Sequence, residues 1–188
     1  MKPTLLLHAC CGGCAATVIR LLGERYAVSA FFFNPNIHPR REWEFRREEF
    51  LRLAKICGCP AIVPPYDLTE WFAVVRGLEQ EPERGRRCTA CFRLRLERTF
   101  VHARDNGFAA VASTLSISPY KSTAQINAEG ARLQQEFGIP FLPENFKSHD
   151  GHSRGRRLAD ELGVRRQDTC GCTYSRRDRL LRLRRPQG

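Results

Sequence analysis

Nine cysteines in 188 residues fall into four close groups: Cys10, Cys11 and Cys14; Cys57 and Cys59; Cys88 and Cys91; Cys170 and Cys172. Thiols at this spacing can grip a metal ion or an iron–sulfur cluster, because a short segment then presents several soft ligands together. The first residues, MKPTLLLHACC, lack the longer apolar stretch of a secretory signal, so a cytoplasmic protein is expected. Disulfides are rare in that compartment, which leaves metal binding as the leading account of the clustering.

The groups differ in what they offer. CCGGC follows a short apolar run, and its Gly12 and Gly13 allow close approach of the backbone to a bound group. The positive end of a following helix favours thiolates there. A single cysteine at a strand end is an ordinary buried hydrophobe; three at a glycine bend are harder to explain by packing. Cys88 and Cys91 form CxxC at or just before a helix, where positions three apart share a face. Cys170 and Cys172 form CGC, a tight turn. These two pairs suit structural zinc and an iron–sulfur cluster equally. Adding Cys10, Cys11 and Cys14 makes seven thiols, more than one tetrahedral zinc uses, which favours a cluster or a cluster beside a second metal. Cys57 and Cys59, in ICGCP between a helix and a strand, read as packing residues.

Charge adds a second constraint. Thirty-one Lys and Arg face 20 Asp and Glu for a net +11, and with lysine only at 2, 55, 121 and 147 the other 27 cations are arginine. Such a surface attracts polyanions, RNA or DNA among them, although arginine on solvated helix faces would give the same composition.

The elements that must position the thiols alternate. Apolar runs at 4–9, 27–33, 61–63 and 107–114 read as strands. Helices are expected over 15–22, 41–56, 67–78, 89–106 and 154–162, and another opening with Ser118 as N-cap and Pro119 at its first position. Phe141 and Leu142 close the sheet. The expected fold is α/β, a Rossmann-like, mostly parallel sheet flanked by helices, with its cysteine-rich site at the carboxyl ends of the strands. One domain over 1–175 is followed by a basic tail over 176–188. No apolar run approaches membrane-spanning length.

The blocks LLHACCGGC, FFFNPNIHP with REWEFRREEF, GRRCTACFRLRLERT, ASTLSISPYKS, FKSHDGHSRG and RRQDTCGCTYS, in this order over residues 4–175, closely resemble the QueH family of epoxyqueuosine reductases. The resemblance implies a HUP-type fold and the last step of queuosine biosynthesis. In that step epoxyqueuosine at the wobble position of tRNAs with GUN anticodons (Asp, Asn, His, Tyr) is reduced to the alkene. It further implies a 4Fe-4S cluster with an adjacent mononuclear iron, no cobalamin, and an electron donor that the sequence does not identify. On this reading Cys88, Cys91, Cys170 and Cys172 hold the cluster, and Cys10, Cys11 and Cys14 the second iron. Some members of the family carry aspartate where this chain has Cys14.

His8, His38 and Asp168 are the candidate proton donors, with a strand-borne His8 equally at home as a core histidine. Asn34, Asn36 and His38 would shape the substrate pocket. Ser118 and Lys121 would hold a tRNA phosphate, and Arg86, Arg87, Arg93 and the arginines of 176–185 the anticodon stem-loop backbone. Two other classes compete: a zinc-stabilised RNA-binding module, and a PP-loop-like tRNA-modifying ATPase, whose SGGxDS signature CCGGC lacks.

Overall fold

The computed structural model describes residues 1–118, 121–146, 157–165, 167 and 169–183. Four parallel strands, β1 (Thr4–His8), β2 (Ala27–Phe31), β3 (Ala61–Ile62) and β4 (Ala110–Ser113), stand in the order β3-β2-β1-β4. β1 is central, pairing Leu5 with both Val28 and Ala110. Its unbroken apolar run has a physical cause, since alternate residues face opposite layers and both layers are covered. Leu5 and Leu7 join the core with Val18, Leu22 and Phe50, while Leu6 joins Phe92, Leu96, Phe100 and Leu133 on the other side.

The first layer is α1 (Gly12–Gly23) and α2 (Arg40–Ile56); the second is α4 (Arg86–Asp105) and α5 (Thr123–Phe137), with the short α3 (Thr69–Val75) beside α4. Helix α6 (Thr173–Leu183) follows the CGC turn. α1 lies so close to α2 that a Cβ on Gly12 would stand 2.5 Å from Leu53 Cδ1 and 3.0 Å from the Glu49 carbonyl oxygen.

Two expectations need correction. The helix expected to open at Ser118 begins at Thr123, capped by Ser122, whose Oγ accepts the Gln125 N–H at 3.3 Å. Ser118 instead ends a 3-10 turn, Thr114–Ile117, capped by Ser113. Both serines carry capping chemistry, and the 3-10 turn takes up the residues between strand and helix. At the other end, residues 176–183 are helical and docked rather than tail-like: Arg176 Nη1 donates to the His38 carbonyl at 3.0 Å and Arg177 Nη2 to the Glu79 carbonyl at 3.2 Å. Phe141 adds one parallel bridge to Val111 beyond β4, as expected. Among the described residues, no helix is long and apolar enough to cross a membrane.

Candidate metal centre

The strand order reverses between β1, which feeds leftward to β2, and β4 on its other side. In open parallel sheets the crevice beyond such a pair is where ligands bind. A cavity of about 750 Å³ lies there, lined by Cys10, Cys11, Cys14, Cys88, Cys91, Cys170 and Cys172. Three segments separated by many tens of residues thus bring seven thiols to one space. Cys57 and Cys59 are elsewhere; the Cys59 thiol donates to the Val28 carbonyl at 3.3 Å and packs in the core.

Cys10, Cys11 and Cys14 come from one turn, and their sulfurs lie within 4.8 Å of one another. Cys11 caps α1 and Cys14 sits in its first turn, so the helix start gathers the three. Thr114 braces them from the start of the 3-10 turn after β4, accepting the Cys10 N–H at 3.3 Å and donating its hydroxyl to Cys10 Sγ at 3.7 Å. Hydrogen bonds from Cys11 and Cys14 hold Cys10 well below an ordinary thiol, while sharing that charge pushes Cys11 up to about 12. The group therefore carries one readily formed thiolate.

The other four thiols are assembled from two places. Cys88 and Cys91 share a face at the start of α4, and the Arg84 N–H donates to Cys88 Sγ at 3.3 Å. Arg84 has φ +67, a left-handed backbone uncommon outside glycine, and its carbonyl accepts from Gln125 Nε2 at 2.8 Å. The CGC turn is held against them by the loop after β2 and by α2. Arg46, 4% exposed, donates to the Cys170 carbonyl at 3.3 Å and the Thr169 carbonyl at 3.4 Å, and pairs with Glu42 at 2.8 Å. Asn36 Nδ2 reaches the Cys170 carbonyl at 3.4 Å, and the His38 N–H the Gly171 carbonyl at 2.9 Å. Gly171 has φ +95, and a Cβ there would stand 3.1 Å from Ile37 and 3.2 Å from Arg46. A hydrogen bond from Cys172 lowers Cys170 to about 5; burial pushes Cys88 up to about 11.

Lys121, a cavity residue delivered after β4, completes the electrostatics. Burial pulls its pKa down, but the negative charge of Cys10, Cys170 and Cys14 outweighs this and leaves it raised, a cation shared by both thiol groups. Thiols clustered to this degree, with donors and a cation that favour their anions, fit soft-metal ligation.

The remaining expected site residues divide. Asn36, Ser118 and Arg87 line the cavity. Arg87 is consumed by the protein, since its Nη1 donates to the carbonyls of Glu79 and Glu81 and its guanidinium lies 4.8 Å over Tyr174. Arg86 is exposed and pairs with Glu81 at 2.9 Å, outside the cavity lining. Asn34 is buried behind the wall, donating to the Ala9 carbonyl at 2.8 Å and accepting from Arg95 at 2.6 Å. Neither histidine lines the cavity. His8 is enclosed, bonded to Ser113 Oγ at 3.0 Å and the Phe33 carbonyl at 3.2 Å; burial, then Arg95, hold its pKa down to about 3. His38 packs on Trp71 and Phe72 at 5.0 and 5.1 Å between ring centres. Their placement lends no support to a proton-donating role. Asp168 and most of the FKSHDGHSRG block lie outside the described residues.

Sequence reasoning missed Trp71, Arg46, Glu83, Ser175 and Arg95, all on the cavity wall. Only Arg95 left a trace, standing on the Cys88–Cys91 face of α4 at i+7 and i+4.

The family profile described as "Epoxyqueuosine reductase QueH" matches residues 5–178. The chain belongs to the QueH family. Epoxyqueuosine reductase QueH of Acinetobacter baylyi is 40% identical over 176 residues, spanning 93% of this chain and 81% of that protein. QueH of Thermotoga maritima is 32% identical over 98% of both chains. The fold extends further than the family. The U34-tRNA thiolase NcsA of Methanococcus maripaludis, solved with its 4Fe-4S cluster, superposes with TM-score 0.55 at 11% identity, over 93% of this chain and 62% of its own. A predicted subunit of tRNA methyltransferase from Methanocaldococcus jannaschii gives 0.54 at 18% identity, over 84% and 76%.

Proposed function

We propose that this QueH-family oxidoreductase converts epoxyqueuosine to queuosine at wobble position 34 of tRNAs with GUN anticodons, in the cytoplasm, with a 4Fe-4S cluster and an adjacent iron and without cobalamin. The observation that carries the reading is the convergence of seven thiols from three segments on one cavity at the β1 and β4 ends. Family membership supports the substrate.

Removing the epoxide oxygen breaks two C–O bonds, restores the alkene and releases water, which consumes two electrons and two protons. Side chains do not supply those electrons, so an external donor must deliver them through a redox cofactor. Bound among these thiols, a cluster supplies one-electron transfers and the second iron a Lewis-acid position for the epoxide oxygen. Cys88, Cys91, Cys170 and Cys172 hold the cluster; Cys10, Cys11 and Cys14 hold the iron. Lys121 keeps a proton and a positive charge in the cavity beside both groups, where it can meet the oxygen as negative charge develops. Asn36, whose Oδ1 is buried without a partner among the described residues, orients the ring, and Ser118 binds nearby. A wobble nucleoside turned out of its stack fits a cavity of this size, while the net charge of +11 attracts the anticodon stem-loop.

The test is protein purified without oxygen, assayed with tRNA bearing epoxyqueuosine and a chemical reductant. Coloured protein with iron and sulfide, forming queuosine, is expected, and Cys88→Ser should bleach it and abolish turnover. Colourless protein with stoichiometric zinc and no turnover would identify a zinc-stabilised RNA-binding module instead.

A further inference from the structure

Trp71 and Arg95 are two buried donors lining the cavity that the reaction leaves without a task. Trp71, on α3, is 1% exposed, and its Nε1 has no acceptor among the described residues. Arg95, 2% exposed, lies one turn beyond Cys91 on α4; its Nη2 donates to Asn34, which is tied in turn to the Ala9 carbonyl just past β1, but its Nε has no acceptor among the described residues. Burying an N–H without an acceptor is costly, so two at one wall call for a shared explanation.

Cys91 provides it. This thiol packs with Trp71, Leu94 and Cys172 in one buried cluster. Cys91, Trp71 and Arg95 line the same cavity, so both unmet N–H groups share a wall with this sulfur. A neutral thiol is a weak acceptor, and a thiolate is a strong one. The neighbouring sulfurs follow the same pattern with backbone donors: Cys88 receives the Arg84 N–H and Cys172 the Ser175 N–H at 3.2 Å. Cys91 sits inside the helix, where backbone amides are engaged, so side chains must serve it.

We propose that Trp71 and Arg95 are positioning residues that donate N–H···S hydrogen bonds to Cys91 as a cluster thiolate and thereby raise the reduction potential of the cluster. The proposal rests on the cluster assignment above. Reduction adds negative charge to the sulfurs, and fixed donors stabilise the reduced state more than the oxidised one.

The test is an EPR-monitored redox titration of the anaerobically loaded chain. Trp71→Phe keeps an aromatic ring facing His38, Phe72 and Tyr174 and deletes the N–H, with a smaller ring in place of the indole. It should make one-electron reduction about tenfold less favourable, a midpoint ~59 mV lower. Arg95→Lys, which keeps the charge but loses the fork, should lower it in the same direction. Should Trp71→Phe fail to hold the cluster, the Arg95→Lys midpoint decides, together with a deuterium-sensitive Fe–S vibration in the unaltered chain. Unshifted midpoints in fully loaded variants, or a vibration indifferent to deuterium, overturn the hydrogen-bond assignment and leave the function standing. An unaltered chain that takes up no cluster overturns the function itself.

Discussion

The two thiol groups are built in opposite ways. Cys10, Cys11 and Cys14 belong to one turn, and the same few residues that end β1 and start α1 bring their sulfurs within 4.8 Å. The four-thiol group joins the start of α4 to a turn some eighty residues later, and Arg46, Asn36 and the His38 amide help to pin that turn. A local site is as robust as its own secondary structure. A composite one depends on side chains that ligate nothing.

The sharpest break between the two comes from the ligands. On the proposed division of ligands, Cys170→Ser should remove cluster and turnover while leaving iron bound by the three-thiol turn, whereas Cys14→Ser should spare the cluster; iron and sulfide per chain tell the two apart. Arg46→Met comes next. It leaves Glu42 with Arg165 at 3.4 Å, the Cys170 carbonyl with Asn36, and the Thr169 carbonyl without the Arg46 donor, at about 2–3 kcal/mol. Chemical denaturation should show the loss, and cluster content should fall with no cysteine altered.

Glycine substitutions sharpen the same contrast at about 2 kcal/mol each. Gly171→Ala forces φ +95 on a Cβ already crowding Ile37 and Arg46, so it should weaken cluster retention. Gly12→Ala pushes α1 from Leu53 and should instead disturb metal at the turn. Thermal melts with metal analysis separate them. The smallest effect is in pH. Burial, then the Arg176 charge, hold His38 below its ordinary 6.5, so the folded chain takes that proton less readily than the unfolded one. Its contribution is complete above pH 6.5 and is lost as the pH falls below it. His38→Phe should flatten this part of the acid-side decline in melting temperature.

What the sequence disclosed follows the same division. Strands such as Leu5–Leu6–Leu7 are legible because two covered faces demand unbroken apolar residues, and CCGGC is legible because its chemistry is contiguous. Ser118 misled because Ser122, four residues on, caps equally well and the choice is made by the 3-10 turn between strand and helix. The arginines hid most. Arg46, Arg87 and Arg95 are buried, Arg86 and Arg93 are not, and composition has no means of distinguishing a clamp from a solvated cation. Helix α6 was hidden likewise, because its anchors are polar contacts to a distant loop rather than an apolar stripe.

Those anchors bear on how inorganic cargo enters. Ser175 donates to Glu83 at 2.7 Å, Arg177 reaches Glu79, and Asp178 faces Arg87 at 3.7 Å, so the segment after one cysteine pair is fastened to the segment before the other. A cradle whose halves are already latched needs no folding step to receive its load. Amide exchange over 79–95 and 170–178 should therefore be nearly the same before and after iron uptake, and the rate of uptake should follow access to the cavity mouth.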